Sequence, residues 1–372
     1  MIKLSAAISK IIIDEKGSKE FFKRISDPLW FQAFGCALGF DWHSSGLTTV
    51  VTGVLKQSLH YDTHGISLSG GKGRNAIKPK HEIPILAEQY HNLSTKKINE
   101  LVYASKISAK VDSTAIQDGF NLYHHFILFD DNGDWTIIQQ GLNKTKKMAR
   151  RYHWISNNLQ NYIIEPHRGI IDNERVPFCL DMTSRESEEN RKTCLDIIKD
   201  GTRSIKTSVY KILETNTSNN LDKWLTNIML PLQRNVFFDN SNINIEKYEM
   251  PRRINWKAID ELYDVNPKNY EEIISQEGVG PSTIRALSLV AEIIYGNRAS
   301  WNDPVKYNYA HGGKDGVPFP IARNIYDNSI KYLNDAINGS EIEKEEKIRS
   351  LKRLSAYSNI LFNTNDYNYH TN

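Results

Sequence analysis

The sequence predicts an α+β protein, with a mixed N-terminal domain carrying a β-hairpin and a helical C-terminal domain. Three observations support this. The runs Leu122 to Phe129 and Trp135 to Gly141 are β-prone and flank Asp130-Asp131-Asn132-Gly133-Asp134. Asn-Gly between such runs is the strongest short-range hairpin signal. At the start of the chain, Leu4, Ala7, Ile8, Ile11 and Ile12 fall on one stripe, which predicts a helix within residues 1–25. Helical spacing returns over Thr183 to Leu213, Leu221 to Leu232, the stretch ending near Gly296, and a tail from Pro320 to about Leu361.

Between these elements, residues 29–110 alternate short apolar segments with glycines and read as turn-rich mixed structure. Residues 143–185 are basic and aromatic. At 372 residues the chain is long enough for two or three domains. The expected division is a mixed domain over 1–180, a helical connector over 181–250 and a helical domain over 251–372.

The totals exclude several classes of function. Lys and Arg number 47 against 44 Asp and Glu, so the chain is not a polybasic binder and any phosphate-binding surface must be local. Three scattered cysteines, Cys36, Cys179 and Cys194, make neither a disulfide scaffold nor a zinc site. No apolar run is long enough to span a bilayer and no cleavable leader pattern is present, so a soluble, cytoplasmic protein without a membrane partner is expected.

The sharpest motif runs from Glu271 to Leu287: an apolar helix end, Gly278-Val279-Gly280, Pro281-Ser282-Thr283, and a second apolar helix. Glycines here permit backbone geometry that a Cβ would block and let the turn approach a phosphate closely. The second helix offers free N–H groups and a positive dipole end to the same anion, while Val279 pins the turn inward. The arrangement resembles the helix-hairpin-helix family over 269–295, which implies sequence-independent DNA binding through Gly278, Val279, Gly280, Ser282 and Thr283. The competing reading is a Gly-rich turn between core helices. In glycosylases with this element an Asp follows by about two dozen residues, and Asp303 lies at that spacing. Members with lyase activity place a Lys in the hairpin, where this chain has Ser282.

A second set of residues surrounds the β-hairpin. Asp112 and Asp118 precede His124 and His125, and Gln139-Gln140 ends the return strand. Carboxylates can hold Mg²⁺ or Mn²⁺ to polarise a phosphate, and a histidine can serve as ligand or base. This pattern makes Asp112, Asp118, His124, His125 and Gln139 candidates for catalysis, with Asp112 and Asp118 as metal ligands. The Glu-x-Lys of the common restriction-type core is absent. On the other reading the aspartates are caps, the glutamines a bonded core pair, and one histidine of the pair a core group facing inward. Arg150-Arg151-Tyr152-His153-Trp154 interleaves cations with aromatics, as a surface for phosphates and stacked bases does. The loop Ala310 to Pro320, with His311 and Lys314 among glycines and prolines, is a candidate phosphate cradle, as is Gly70-Gly71-Lys72-Gly73. Neither has P-loop spacing.

Several longer strings carry a broader resemblance. Ser26 to Gln32, Gly39 to Gly46, Gly70 to Gly73, Gln117 to His125, Ala149 to Trp154 and Ala310 to Gly316 are similar to DUF763, a mainly archaeal family of uncharacterised proteins. The likeness extends to about residue 335. It implies a cytoplasmic protein of archaeal type, without supplying a mechanism, and members often begin with a further Gly- and His-containing segment. The leading expectation is a DNA-repair or DNA-processing protein, a metal-dependent nuclease. The alternatives are a base-excision glycosylase using Asp303, or a DNA-binding module without catalysis.

Overall fold

The structure, a computed structural model, describes residues 1–40, 44, 46–172, 175–217, 249–308 and 323–365. Its strands are β1 (Ile66–Lys72), β2 (Ile116–Gln117), β3 (Asn121–Asp130), β4 (Trp135–Asn143), β5 (Met148–Ile155), β6 (Gly169–Asp172), β7 (Leu180–Asp181) and β8 (Tyr307–Asn308). The central sheet has the order β1-β3-β4-β5-β6-β8, while β2 and β7 form a separate ladder. Neighbours from β1 to β6 are antiparallel, and β8 joins β6 in parallel. The helices are α1 (Ile2–Ile25), α2 (Pro28–Leu38), α3 (Leu47–Ser58), α4 (Tyr61–His64), α5 (Pro79–Leu86), α6 (Thr95–Lys110), α7 (Glu188–Lys199), α8 (Thr202–Thr217), α9 (Trp256–Val265), α10 (Tyr270–Ser275), α11 (Pro281–Ile293), α12 (Arg323–Gly339) and α13 (Lys344–Asn365).

The α+β class and the hairpin are as the sequence predicts. Asp130 closes the β3–β4 turn: its Oδ1 accepts from the amides of Asn132 and Asp134, each at 3.0 Å, and Gly133 takes φ +74°. Helix α1 fills the predicted span, with a kink at Gly17. Asp27 caps α2 by accepting from the amides of Leu29 and Trp30, and Pro28 starts the helix where no N–H is needed.

Residues 29–110 are mostly helical rather than turn-rich. Their glycines mark helix ends and close packing more often than loops. Gly39 ends α2 in the left-handed region at φ +98°. Gly35 lies inside α2, where an added Cβ would sit 3.0 Å from Leu47 Cδ1 of α3. The helix expected over 183–213 is two helices, α7 and α8, parted where Gly201 adopts φ +83°. The helix expected at 221–232 and the loop from Ala310 to Pro320 lie outside the described residues.

Both faces of the sheet are covered, and this decides the environment of every strand side chain. Strand alternation places His125, Ile127, Phe129, Ile137, Gln139, Tyr152 and Trp154 on one face. Their apolar members share a core with residues of α6 to α11. His124, Phe126, Leu128, Ile138, Gln140, Arg151 and His153 point the other way, and the apolar ones share a core with α1, α2, α3, α12 and α13.

Strand β1 approaches β3 so closely that only glycine fits at residue 70. Its φ is +96°, and an added Cβ would sit 2.2 Å from the His125 carbonyl oxygen. Gly70→Ala should lower the urea midpoint, a loss of about 2 kcal/mol or more. Gly53→Ala, in α3 with nothing within 4 Å of the added Cβ, should leave stability unchanged or raise it by up to ~1 kcal/mol.

Candidate functional site

Asp112 lies in the turn of helix that follows α6, fully buried beneath the sheet. Three donors converge on its carboxylate. Gln139 Nε2 and Trp154 Nε1 donate to Oδ2 at 2.6 and 3.0 Å, and His167 Nε2 meets Oδ1 at 2.5 Å. The Gln139 amide is thereby oriented, leaving its Oε1 to accept from His125 Nδ1 at 3.0 Å. His125 Nε2 then accepts from the Ser105 hydroxyl at 2.8 Å. Burial pushes the His125 pKa down, consistent with this neutral tautomer. The chain of bonds runs Ser105–His125–Gln139–Asp112–His167, because strand register sets His125 opposite Gln139.

Asp118 belongs to a second network centred on the buried Arg150. The guanidinium donates to Asp118 Oδ2 through Nη1 at 3.0 Å and to Asp172 Oδ2 through Nε at 2.8 Å. It also grips Asp303 with two bonds of 3.1 and 2.7 Å. Asp118 additionally accepts from the Tyr152 hydroxyl at 2.5 Å and the Phe120 amide at 2.9 Å, and the Phe120 ring lies 4.6 Å from the guanidinium carbon. Burial pushes the Asp118 carboxyl up, against the pull of Arg150. Burial opposes the Arg150 charge as well, but Asp118, Tyr152, Asp303 and Asp172 outweigh it and hold the guanidinium protonated.

On the opposite face, Arg151 donates to His153 Nε2, Gln32 Oε1, Pro28 O and Thr48 Oγ1, and lies over the Phe31 ring. His124 Nε2 bonds Thr52 Oγ1 at 3.1 Å. Burial, helped by His125 and Lys72, lowers the His124 pKa to about 4.

The expected catalytic set is therefore divided. Asp112, His125 and Gln139 share one network, Asp118 belongs to another, and His124 lies across the sheet. Donors already occupy both oxygens of Asp112 and both of Asp118. Among the described residues no group of three or more His, Cys, Asp or Glu is arranged to hold a metal ion. Mg²⁺ or Mn²⁺ held jointly by Asp112 and Asp118 does not fit this geometry, since the two carboxylates belong to separate networks. Arg150 and Arg151 are not an outer phosphate surface either, since alternation sends each to a covered face and both are fully buried. His124 and His125 are both buried, where a one-sided sheet would have buried one. Asp303 has both oxygens on Arg150, which does not suit it as a free acid. His311 and Lys314 lie outside the described residues.

Sequence reasoning missed His167. It stands between Pro166 and Arg168 with no local pattern around it, and only the fold carries it to Asp112. It borders a cleft of about 190 Å³ between the β6–β7 region and residues 300–306, with Asp181, Thr183, Glu186 and Lys306.

A turn at Gly278-Val279-Gly280 joins α10 to α11. Gly278 has φ +79°, and an added Cβ would lie 2.9 Å from Asn255 Nδ2 and 3.1 Å from Ala258 Cβ. Val279 and Thr283 are buried, Gly278 is exposed and Ser282 is half-buried. Gly280 is extended, with open space where a Cβ would be, so its backbone does not require glycine. Lys110 Nζ donates to the Val279 carbonyl at 2.6 Å, Asn255 Nδ2 to that of Gly278 at 3.0 Å, and Gln117 Nε2 to that of Pro281 at 2.8 Å. The start of α11 has no side-chain cap. Exposed Arg252, Arg253 and Lys257 precede or begin α9, which is held to the turn by Asn255.

These features define an α+β protein with a doubly covered, mainly antiparallel sheet, two buried ionic networks and a glycine turn between helices. The chain belongs to the DUF763 family, proteins of unknown function, whose pattern it matches over residues 1–321. No curated protein and no solved structure matches it. No helix among the described residues is long and apolar enough to cross a membrane.

Removing Arg150 should strand three buried carboxylates. Arg150→Met should cost about 3–5 kcal/mol in urea denaturation, and adding Asp118→Asn should recover part of it.

The lowered pKa of His124 gives a pH signature. The folded protein resists protonation that the unfolded chain accepts from its ordinary 6.5 downward, so stability is full above pH 6.5 and falls toward pH 4. His124→Gln should flatten the decline in melting temperature over that window.

Proposed function

We propose that the chain binds DNA by its sugar–phosphate backbone, through a helix-hairpin-helix element at residues 269–295, in DNA repair or processing. The observation that supports this best is the polarity of the turn. The carbonyls of Gly278, Val279 and Pro281 are occupied from the protein side by Asn255, Lys110 and Gln117. What the turn offers outward is N–H groups at an uncapped helix start, which favour an anion through both hydrogen bonding and the helix dipole. Ser282 and Arg285 border a shallow cleft there of about 290 Å³, with Arg252 and Gln117. Contacts of this kind read phosphates, so binding is indifferent to base sequence and weakens with salt. Binding of this sort needs no metal.

Fluorescence anisotropy with a labelled duplex tests the reading. The logarithm of the binding constant should fall linearly with the logarithm of salt. Ser282→Glu should weaken binding about tenfold or more, because it sets a carboxylate where the phosphate would lie. The same carboxylate near a helix start stabilises the helix, so the loss will not be one of folding. Binding unchanged by Ser282→Glu, or insensitive to salt, would refute the proposal.

A further inference from the structure

The cleft beside His167 has the parts of a hydrolytic site. His167 is 9% exposed. Its Nε2 is committed to the buried Asp112 at 2.5 Å, which orients the ring as a carboxylate orients a catalytic imidazole. Its other nitrogen, Nδ1, has no hydrogen-bond partner among the described residues and is not among the buried polar atoms, so it retains contact with solvent, and the residue borders the cleft. With Nε2–H donated to Asp112, Nδ1 carries the lone pair and faces outward as a base.

The walls indicate what such a base could act on. The hydroxyls of Thr183 and Ser300 donate to Asp181 and Glu186, so neither is poised as a nucleophile for His167, and the nucleophile is water. Among the described residues that border the cleft Lys306 is the one lysine or arginine, against Glu165, Glu186 and an Asp303 that shares Arg150 with two other carboxylates. Negative walls oppose the charge that builds on oxygen in acyl or phosphoryl transfer. They favour the positive charge that builds on a sugar carbon when a glycosidic bond breaks. At about 190 Å³ the cleft is below the ~300 Å³ at which drug-sized pockets begin, so it admits one sugar or base. It is also tied to the DNA-binding turn. Asp181 pairs with Ile116 in the β2–β7 ladder, and the next residue, Gln117, donates to Pro281 at the start of α11.

We infer that this cleft hydrolyses the N-glycosidic bond of a nucleoside unit, with His167 as general base and Asp112 as the residue that positions it. For a unit within DNA the inference rests on the binding proposed above, whereas for a free nucleoside it stands without it. In the step, a water proton passes to His167 Nδ1 and the water oxygen bonds to sugar C1′. The C1′–N bond breaks and its electron pair leaves with the base nitrogen. That nitrogen takes a proton from Asp181, the carboxyl that borders the cleft beside His167. The products are a free base and a sugar bearing a hydroxyl at C1′.

The test incubates the full chain in EDTA with duplexes containing uracil, hypoxanthine or an alkylated purine, and in parallel with free nucleosides. Released base is measured by liquid chromatography and mass spectrometry. Release should occur without metal and fall at least about 100-fold in His167→Ala, a typical scale for a lost general base. Imidazole should restore part of it, which a purely structural histidine would not allow. The urea midpoint of the variant confirms that it folds. Base released only from free nucleosides, with no DNA bound, would support the cleft and overturn the DNA reading. DNA bound without release from any substrate, or release unchanged in His167→Ala, would overturn the cleft and leave the DNA reading standing.

Discussion

One buried guanidinium ties together parts of the chain that local folding keeps apart. Arg150 on β5 reaches Asp118 ahead of β3, Asp172 at the end of β6 and Asp303 ahead of β8. Stripping water from four charges is costly, and attraction inside the protein offsets that cost only where geometry satisfies each group. Here Tyr152 and the amides of Phe120, Val176 and Val305 supply the remaining bonds to Asp118 and Asp303. Such a network adds little net stability over an apolar core, but it penalises misplacement of any of its four segments. The position of the 300–306 strip, and hence one wall of the His167 cleft, depends on it.

The doubly covered sheet explains why so many polar side chains are buried in pairs. A strand with one solvated face sends alternate residues to water, but here both directions end in a core. Arg150-Arg151-Tyr152-His153-Trp154 looks like a surface when read along the chain. In the fold it divides between two interiors, Arg150 facing three aspartates and Arg151 facing His153, Gln32 and Thr48. The same alternation puts His124 with Thr52 and His125 with Gln139. Local chemistry was visible in these residues, whereas the face each would occupy was not, because that depends on helices distant in sequence, 72 residues away for His124 and Thr52 and 103 for Arg151 and Thr48.

Features set by neighbours in sequence were legible. The β3–β4 hairpin, the first helix and the glycine turn before α11 each rest on a few adjacent residues. Features set by distant pairing were not. His167 is 55 positions from Asp112, and Asp303 is 153 from Arg150, so no spacing rule joins either pair. The glycines of residues 29–110 misled for a related reason. A glycine serves a turn or a close approach between helices equally well, and Gly35 against Leu47 can be recognised only when α3 is in place.

The two proposed sites need different things from the fold. A phosphate grip at the turn needs exposed N–H groups and carbonyls kept out of the way, and Lys110, Asn255 and Gln117 meet the second requirement by holding three of them. Lys110 comes from α6, Asn255 from the start of α9 and Gln117 from β2, so the turn is anchored from three directions. A hydrolytic cleft needs a base held to within a few tenths of an ångström, and Asp112 is itself held by Gln139 and Trp154. The two anchorages meet in one stretch of chain. Lys110 and Asp112 are two residues apart at the end of α6, and Gln117 follows within five. A backbone held at the turn would thus lie against the same segment whose Asp112 orients His167. If the cleft acts on DNA, that segment sets the distance between the gripped phosphate and the reacting nucleotide.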